Sequence, residues 1–196
     1  MLSQPAVKSS FYNRGKIISL TLCALFTALI SIGAQFSLPL PLDMRLTLQM
    51  PVVLLCGIVL GAKRAVVSTA AYLISGLIGL PVFTNFSGGI SYIARPTFGF
   101  IIAFIPAAFV ISIICEKTKK TNLLACFTAV SIGFAIIYVV GIFYHFLALA
   151  FWLDTPKGFL TLFLGAGYAL LIPKDFAAAV LVSLVGARIR KHLKVQ

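Results

Sequence analysis

The chain has 196 residues, 61% of them hydrophobic and 10% charged, with a mean hydropathy of +1.09. An ordinary soluble domain is about 45–50% apolar and about 25% charged, so this composition excludes that class, together with disorder, a disulfide-rich secreted module and a collagen-like fibre. The net charge of +12 does not point to nucleic acid, because the basic residues cluster at the ends of apolar runs rather than along a polar face.

Six apolar runs follow in order: Ile17–Phe36, Leu46–Ala62, Ala65–Leu80, Pro96–Cys115, Asn122–Phe151 and a last one ending near Ala187. A helix crosses the hydrocarbon core with roughly 20 residues, so six spans use up the chain. The sequence predicts an all-α integral membrane protein, a single membrane domain over residues 1–196. Its parts are a tail (1–16), a six-helix bundle (17–190) and a second tail (191–196). The first run lacks a small-residue cleavage site and leads straight into further spans, which reads as a retained helix. With the N-terminus inside, one set of loops holds Lys8, Arg14, Lys16, Lys63, Arg64, Lys117, Lys119, Lys120, Arg188, Arg190, Lys191 and Lys194. The other set holds Arg45, Arg95, Lys157 and Lys174, beside Asp43, Asp154 and Asp175. That asymmetry predicts cytoplasmic termini in a multi-pass cell-membrane protein.

The first outer loop, Phe36 to Gln49, carries Pro39 and Pro41 two residues apart. Spacing of this kind forbids helix and favours extended backbone, as a lid over a cavity or as interfacial packing. The second, from Gly79 to Phe100, holds Phe83, Asn85, Ser87, Gly88, Gly89, Tyr92 and Arg95 without an acid. Irregular backbone at membrane depth must be covered by protein or line a polar cavity, and paired glycines allow close approach to a ligand. Pro96 suits a first helical turn, which sets Arg95 at the positive end of the fourth span as an anion site, the alternative being snorkelling to headgroups. Asp175 lies thirteen residues before Arg188, about 20 Å along a helix and so inside the bilayer. A carboxylate there is a functional-site hypothesis; pairing with Lys174 is the competing reading, weakened because helix neighbours point about 100° apart.

Chemistry is poorly provided for. The four cysteines (Cys23, Cys56, Cys115, Cys126) form no CxxC pair and read as buried small residues. No phosphate-binding loop, HExxH or GxSxG motif is present, and of two histidines His145 reads as packed. No catalytic residue, metal or cofactor is expected. The polar residues suit binding of a small, partly apolar, anionic molecule on the outer side.

The segments LFTALISIGAQFSLPLP, LTLQMPVVLLCGIVLGAKRA, YLISGLIGLPVFTNFSGGISYIARPTFGF and IPKD resemble the BioY proteins, the biotin-specific substrate-binding components of energy-coupling factor transporters. The resemblance runs from about Leu22 to Arg190 and implies biotin as ligand. It also implies, as partners, a transmembrane coupling subunit carrying two ATPases. On that reading Asp175 accepts a ureido N–H, and Asn85 donates to the ureido oxygen. Phe36, Phe83 and Tyr92 wall the ring, with Thr47, Gln49, Ser87, Gly88 and Gly89 nearby. Arg95 or Lys174 meets the carboxylate, Arg95 ranking first because of the helix terminus behind it. The family pattern Pro-Gly-Asp reads Pro173-Lys174-Asp175 here, Ala178 stands where a lysine is common, and Arg95 precedes Pro-Thr where glycine is frequent. Ala24 and Ala28 fit the small-residue patch that meets the coupling subunit, and Gly57-x-x-x-Gly61 reads as internal packing. A component for thiamine or riboflavin, and a membrane scaffold or small membrane enzyme, are the alternatives.

Overall fold

The computed structural model describes residues 5–39, 45–118, 123–151 and 168–193. Pro41, Asp43, Lys119, Lys120, Asp154, Lys157 and Lys194 lie outside the described residues. Six α-helices occur among the described residues: α1 (Pro5–Gln35), α2 (Gln49–Val59), α3 (Ala62–Leu77), α4 (Phe98–Lys117), α5 (Leu123–Phe151) and α6 (Tyr168–Leu193). Long apolar stretches suited to a membrane fall within α1, α4 and α5.

Several boundaries depart from the expected ones, each for a local reason. α1 begins at Pro5, inside the expected tail, and α6 runs on to Leu193. The second run shortens to 11 residues, about 16 Å and too short to cross a bilayer alone. Its first residues are instead drawn into a strand, and Gly61, at φ 79, ends it against α3. The third helix stops at Leu77 because Gly79, at φ 107, reverses the chain. Gly79 N–H reaches Gly76 O (3.1 Å) and Leu80 N–H reaches Ser75 O (3.1 Å), a Schellman termination with Pro81 just beyond.

Helix α4 is central, packing on α2, α3 and α5, while α6 lies against α2 and α5, and α1 against α2 and α3. Close approach depends on glycine. A Cβ on Gly57 of α2 would lie 2.9 Å from Ile111 of α4, and one on Gly133 of α5 would lie 2.3 Å from the same side chain. Ile111, fully buried, is thus gripped from both sides, and Gly57 acts in internal packing. Buried hydroxyls find partners as an apolar surround requires: Ser112 Oγ donates to Gly57 O (2.7 Å) and Ser183 Oγ to Ala179 O (2.8 Å).

Charges sit at helix ends. Glu116 Oε1 accepts the first N–H of α3, from Ala62, at 2.8 Å, and the buried Arg190 donates to Cys115 O near the end of α4. Both complement the helix dipoles. The four cysteines are free and buried.

At the opposite end the first loop forms a hairpin, β1 (Ser37–Pro39) pairing antiparallel with β2 (Arg45–Thr47) in the register Leu38 to Leu46. Extended backbone is present up to Pro39, the first of the two prolines. Leu48 N–H donates to Gly33 O (3.2 Å), holding the hairpin to the end of α1. The second loop makes two 3-10 turns, Thr84–Phe86 and Ile90–Ala94.

Candidate functional site

Below this hairpin is a cavity between α2, α4, α5 and α6. Its aromatic wall comes from Tyr92, Phe100, Phe104 and Tyr138, and its polar lining from Arg45, Thr47, Gln49, Thr84, Thr97 and Asp175. Each group reaches it for a local reason. The short strand β2 alternates its residues so that Arg45 and Thr47 share a face. Gln49 begins α2, Thr97 precedes α4, and Asp175 lies in the second turn of α6 after Pro173.

Asp175 is the electrostatic centre. It is 7% exposed. Tyr138 Oη donates to its Oδ2 at 2.7 Å. Its Oδ1 faces the Lys174 ammonium as an ion pair but has no aligned hydrogen-bond donor. The ammonium donates to Thr47 O (3.1 Å), tying α6 to the hairpin. Sequence neighbours therefore do pair here, against the 100° argument: the long lysine stem folds toward the strand and brings its head beside the carboxylate. Asp175, Lys174 and Arg45 together leave one net positive charge, favourable to an anionic ligand.

A polar chain supports the floor. Thr47 Oγ1 lies 3.4 Å from Gln49 Oε1, and the Gln49 amide donates to Tyr72 Oη. Tyr92 packs on Phe83 (centroids 4.5 Å apart), and Phe83 meets Tyr72 edge-on at 5.5 Å.

Not every expected residue converges. Thr47, Gln49, Tyr92 and Asp175 line the cavity, and Lys174 touches it through Asp175. Phe83 stands behind Tyr92 as support. Phe36 is 64% exposed and Asn85 is exposed as well. Asn85 adopts φ 65, a left-handed conformation that asparagine tolerates, and so serves the turn. Gly88 and Gly89 pack the loop onto the end of α3: a Cβ on Gly88 would strike Leu80 O at 2.3 Å, and Gly89 N–H donates to Gly76 O at 2.7 Å. Ser87 Oγ bonds Thr84 O within the same turn. Arg95 is not at the α4 terminus. The helix starts at Phe98, and the guanidinium lies 4.9 Å over the Tyr92 ring.

Four residues that matter here carry no motif in the sequence. Arg45 and Tyr138 line the cavity. Gln35 clamps the second loop, accepting from Phe86 N–H (2.9 Å) and donating to Phe83 O (3.1 Å). Tyr168 Oη pairs with His145 Nδ1 at 2.7 Å, giving the histidine the packed place expected for it. A lone amide closing an apolar helix was the available signal for Gln35.

The profile described as the BioY family matches residues 6–195. A probable biotin transporter BioY of Lysinibacillus sphaericus is 38% identical over 174 residues, 89% of this chain and 87% of the relative. The biotin transporter BioY of Thermotoga maritima is 36% identical over 169 residues, 85% of this chain and 92% of the relative. The fold is similar to the 2.1 Å crystal structure of the S-component for biotin from an ECF-type ABC transporter, with a TM-score of 0.76 and 30% identity over 91% of this chain and 94% of that one.

Proposed function

The chain belongs to the BioY family, and from that premise we propose that it is the biotin-binding component of an uptake system, taking the vitamin into the cavity around Asp175. The observation that carries this reading is a buried carboxylate with one oxygen lacking an aligned donor, set in an aromatic and polar cavity with a net positive charge. Biotin complements each part. Its ureido ring has N–H groups for Asp175, its thiophane is apolar, and its valerate carboxylate suits Arg45, which lines the cavity, or Lys174 beside Asp175, ahead of Arg95, which lies over Tyr92. These are groups that bind; the chain carries biotin and performs no chemistry on it. Biotin titrated into the purified protein in detergent, with thiamine and riboflavin as controls, tests the reading. Saturable binding of biotin alone is expected. Preference for another vitamin, or no saturable ligand, overturns it.

In this reading the chain sits in the cytoplasmic membrane as one domain, with both termini inside and the cavity opening outward. Reporter fusions after Lys119 and after Thr155 are expected to report opposite sides of the membrane. Agreement between them would overturn the orientation.

Energy comes from partners. A coupling subunit with two ATPases docks on the groove between α1 and α3, where Ala24 and Ala28 lie beside Val67 and Ala71. Small residues four apart let a partner helix approach. Replacing Ala24 and Ala28 by Trp is expected to reduce cellular uptake at least tenfold while biotin binding to the isolated chain stays within about twofold. A parallel loss of both would make the patch internal packing.

A further inference from the structure

We propose that Tyr138 is a positioning residue for ligand recognition, holding the Asp175 carboxylate so that Oδ1, and not Oδ2, is the acceptor offered to a ligand N–H. The inference rests on the reading that Asp175 meets the ligand.

The two carboxylate oxygens are not equivalent. Oδ2 is taken by the Tyr138 hydroxyl at 2.7 Å, whereas Oδ1 is buried without an aligned donor. A carboxylate turns about its Cβ–Cγ bond over a broad, roughly two-fold torsional profile, so nothing intrinsic selects one orientation. Tyr138 supplies the selection, because its own ring is fixed. Phe134 packs on it with centroids 4.7 Å apart, Phe100 meets it edge-on at 5.9 Å, and the residue is 7% exposed. The hydroxyl sits on α5 and the carboxylate on α6, so the bond also fixes the spacing of the two helices at the cavity wall. Lys174 cannot replace it. Its ammonium pairs with Oδ1 without an aligned hydrogen bond, so that a ligand N–H shares this oxygen with it, and it is anchored to Thr47 O. The resulting acceptor is directional and suits a neutral N–H donor such as a cyclic urea.

Affinities of Tyr138→Phe, Asp175→Asn and the double variant for biotin, and for biotin methylated at either ureido nitrogen, form the test. Tyr138→Phe keeps the ring and its packing. Biotin should bind it roughly three- to tenfold more weakly, a smaller loss than for Asp175→Asn because the acceptor is freed to turn rather than removed. The methylated analogue that cannot donate to Asp175 should bind wild type and Tyr138→Phe equally, and Tyr138→Phe should have no effect in the Asp175→Asn background. Additive losses, or an equal loss for every ligand, would make Tyr138 a packing residue and overturn the proposal. If Asp175→Asn leaves biotin binding unchanged, the ligand role of Asp175 fails instead. The Raman doublet of Tyr138, isolated as the difference between wild type and Tyr138→Phe, then decides without ligand. A doublet that Asp175→Asn shifts away from strong donation upholds the orienting bond, and an unshifted one overturns it.

Discussion

Asp175→Asn is expected to weaken biotin binding by roughly ten- to a hundredfold while the protein remains folded. A hydrogen bond to a charged acceptor contributes about 1.5–3 kcal/mol, and each 1.4 kcal/mol is a factor of ten. The change keeps the shape, removes the charge and turns one acceptor oxygen into a donor amide. The competing outcome is destabilisation, because Lys174 loses its partner. Exposure decides between them: the lysine side chain is 28% exposed against 10% for the aspartate, and it retains Thr47 O. An ammonium within reach of water tolerates that loss. Calorimetric titration of biotin into the variant, with thermal unfolding followed in parallel, separates affinity from folding. Unchanged affinity would remove Asp175 from the site.

Gly76→Ala is expected to be strongly damaging where α3 meets the second loop. A Cβ there would lie 2.0 Å from Phe83 Cζ, and Phe83 is fully buried. Overpacking of this kind costs about 1–3 kcal/mol. Displacing Phe83 also moves Tyr92, which packs on it at 4.5 Å and lines the cavity, so binding should fall with stability. Pairing the change with Phe83→Leu should restore part of the melting temperature. A Gly76→Ala protein that melts and binds like wild type would show that the loop has another way to pack.

Much of this architecture is legible in residue order. Prolines at 39 and 41 announce an extended first loop, and Ser37–Pro39 pairs as a strand with Arg45–Thr47. Gly79 followed by Pro81 is a written stop signal for α3, although hydropathy alone carried that span on to Leu80. A charged residue in an apolar run singles out Asp175. Tyr138 was not legible, because α5 is apolar over nearly its whole length and an aromatic in such a run looks like any other core residue. Arg45 reads as one loop cation among several until the strand register turns it toward the cavity. Asn85 and Arg95 show the converse. Each is polar and near the right place, but one meets the backbone needs of a turn and the other lies on an aromatic face. Residue type predicts capacity, while orientation depends on contacts distant in sequence.

The grip of two glycines on Ile111 makes three positions on three helices share one volume. A methyl gained at Gly57 or Gly133 meets Ile111, so added bulk at either glycine is expected to be tolerated best when carbon is lost at Ile111. Their history should therefore read as correlated exchanges of bulk.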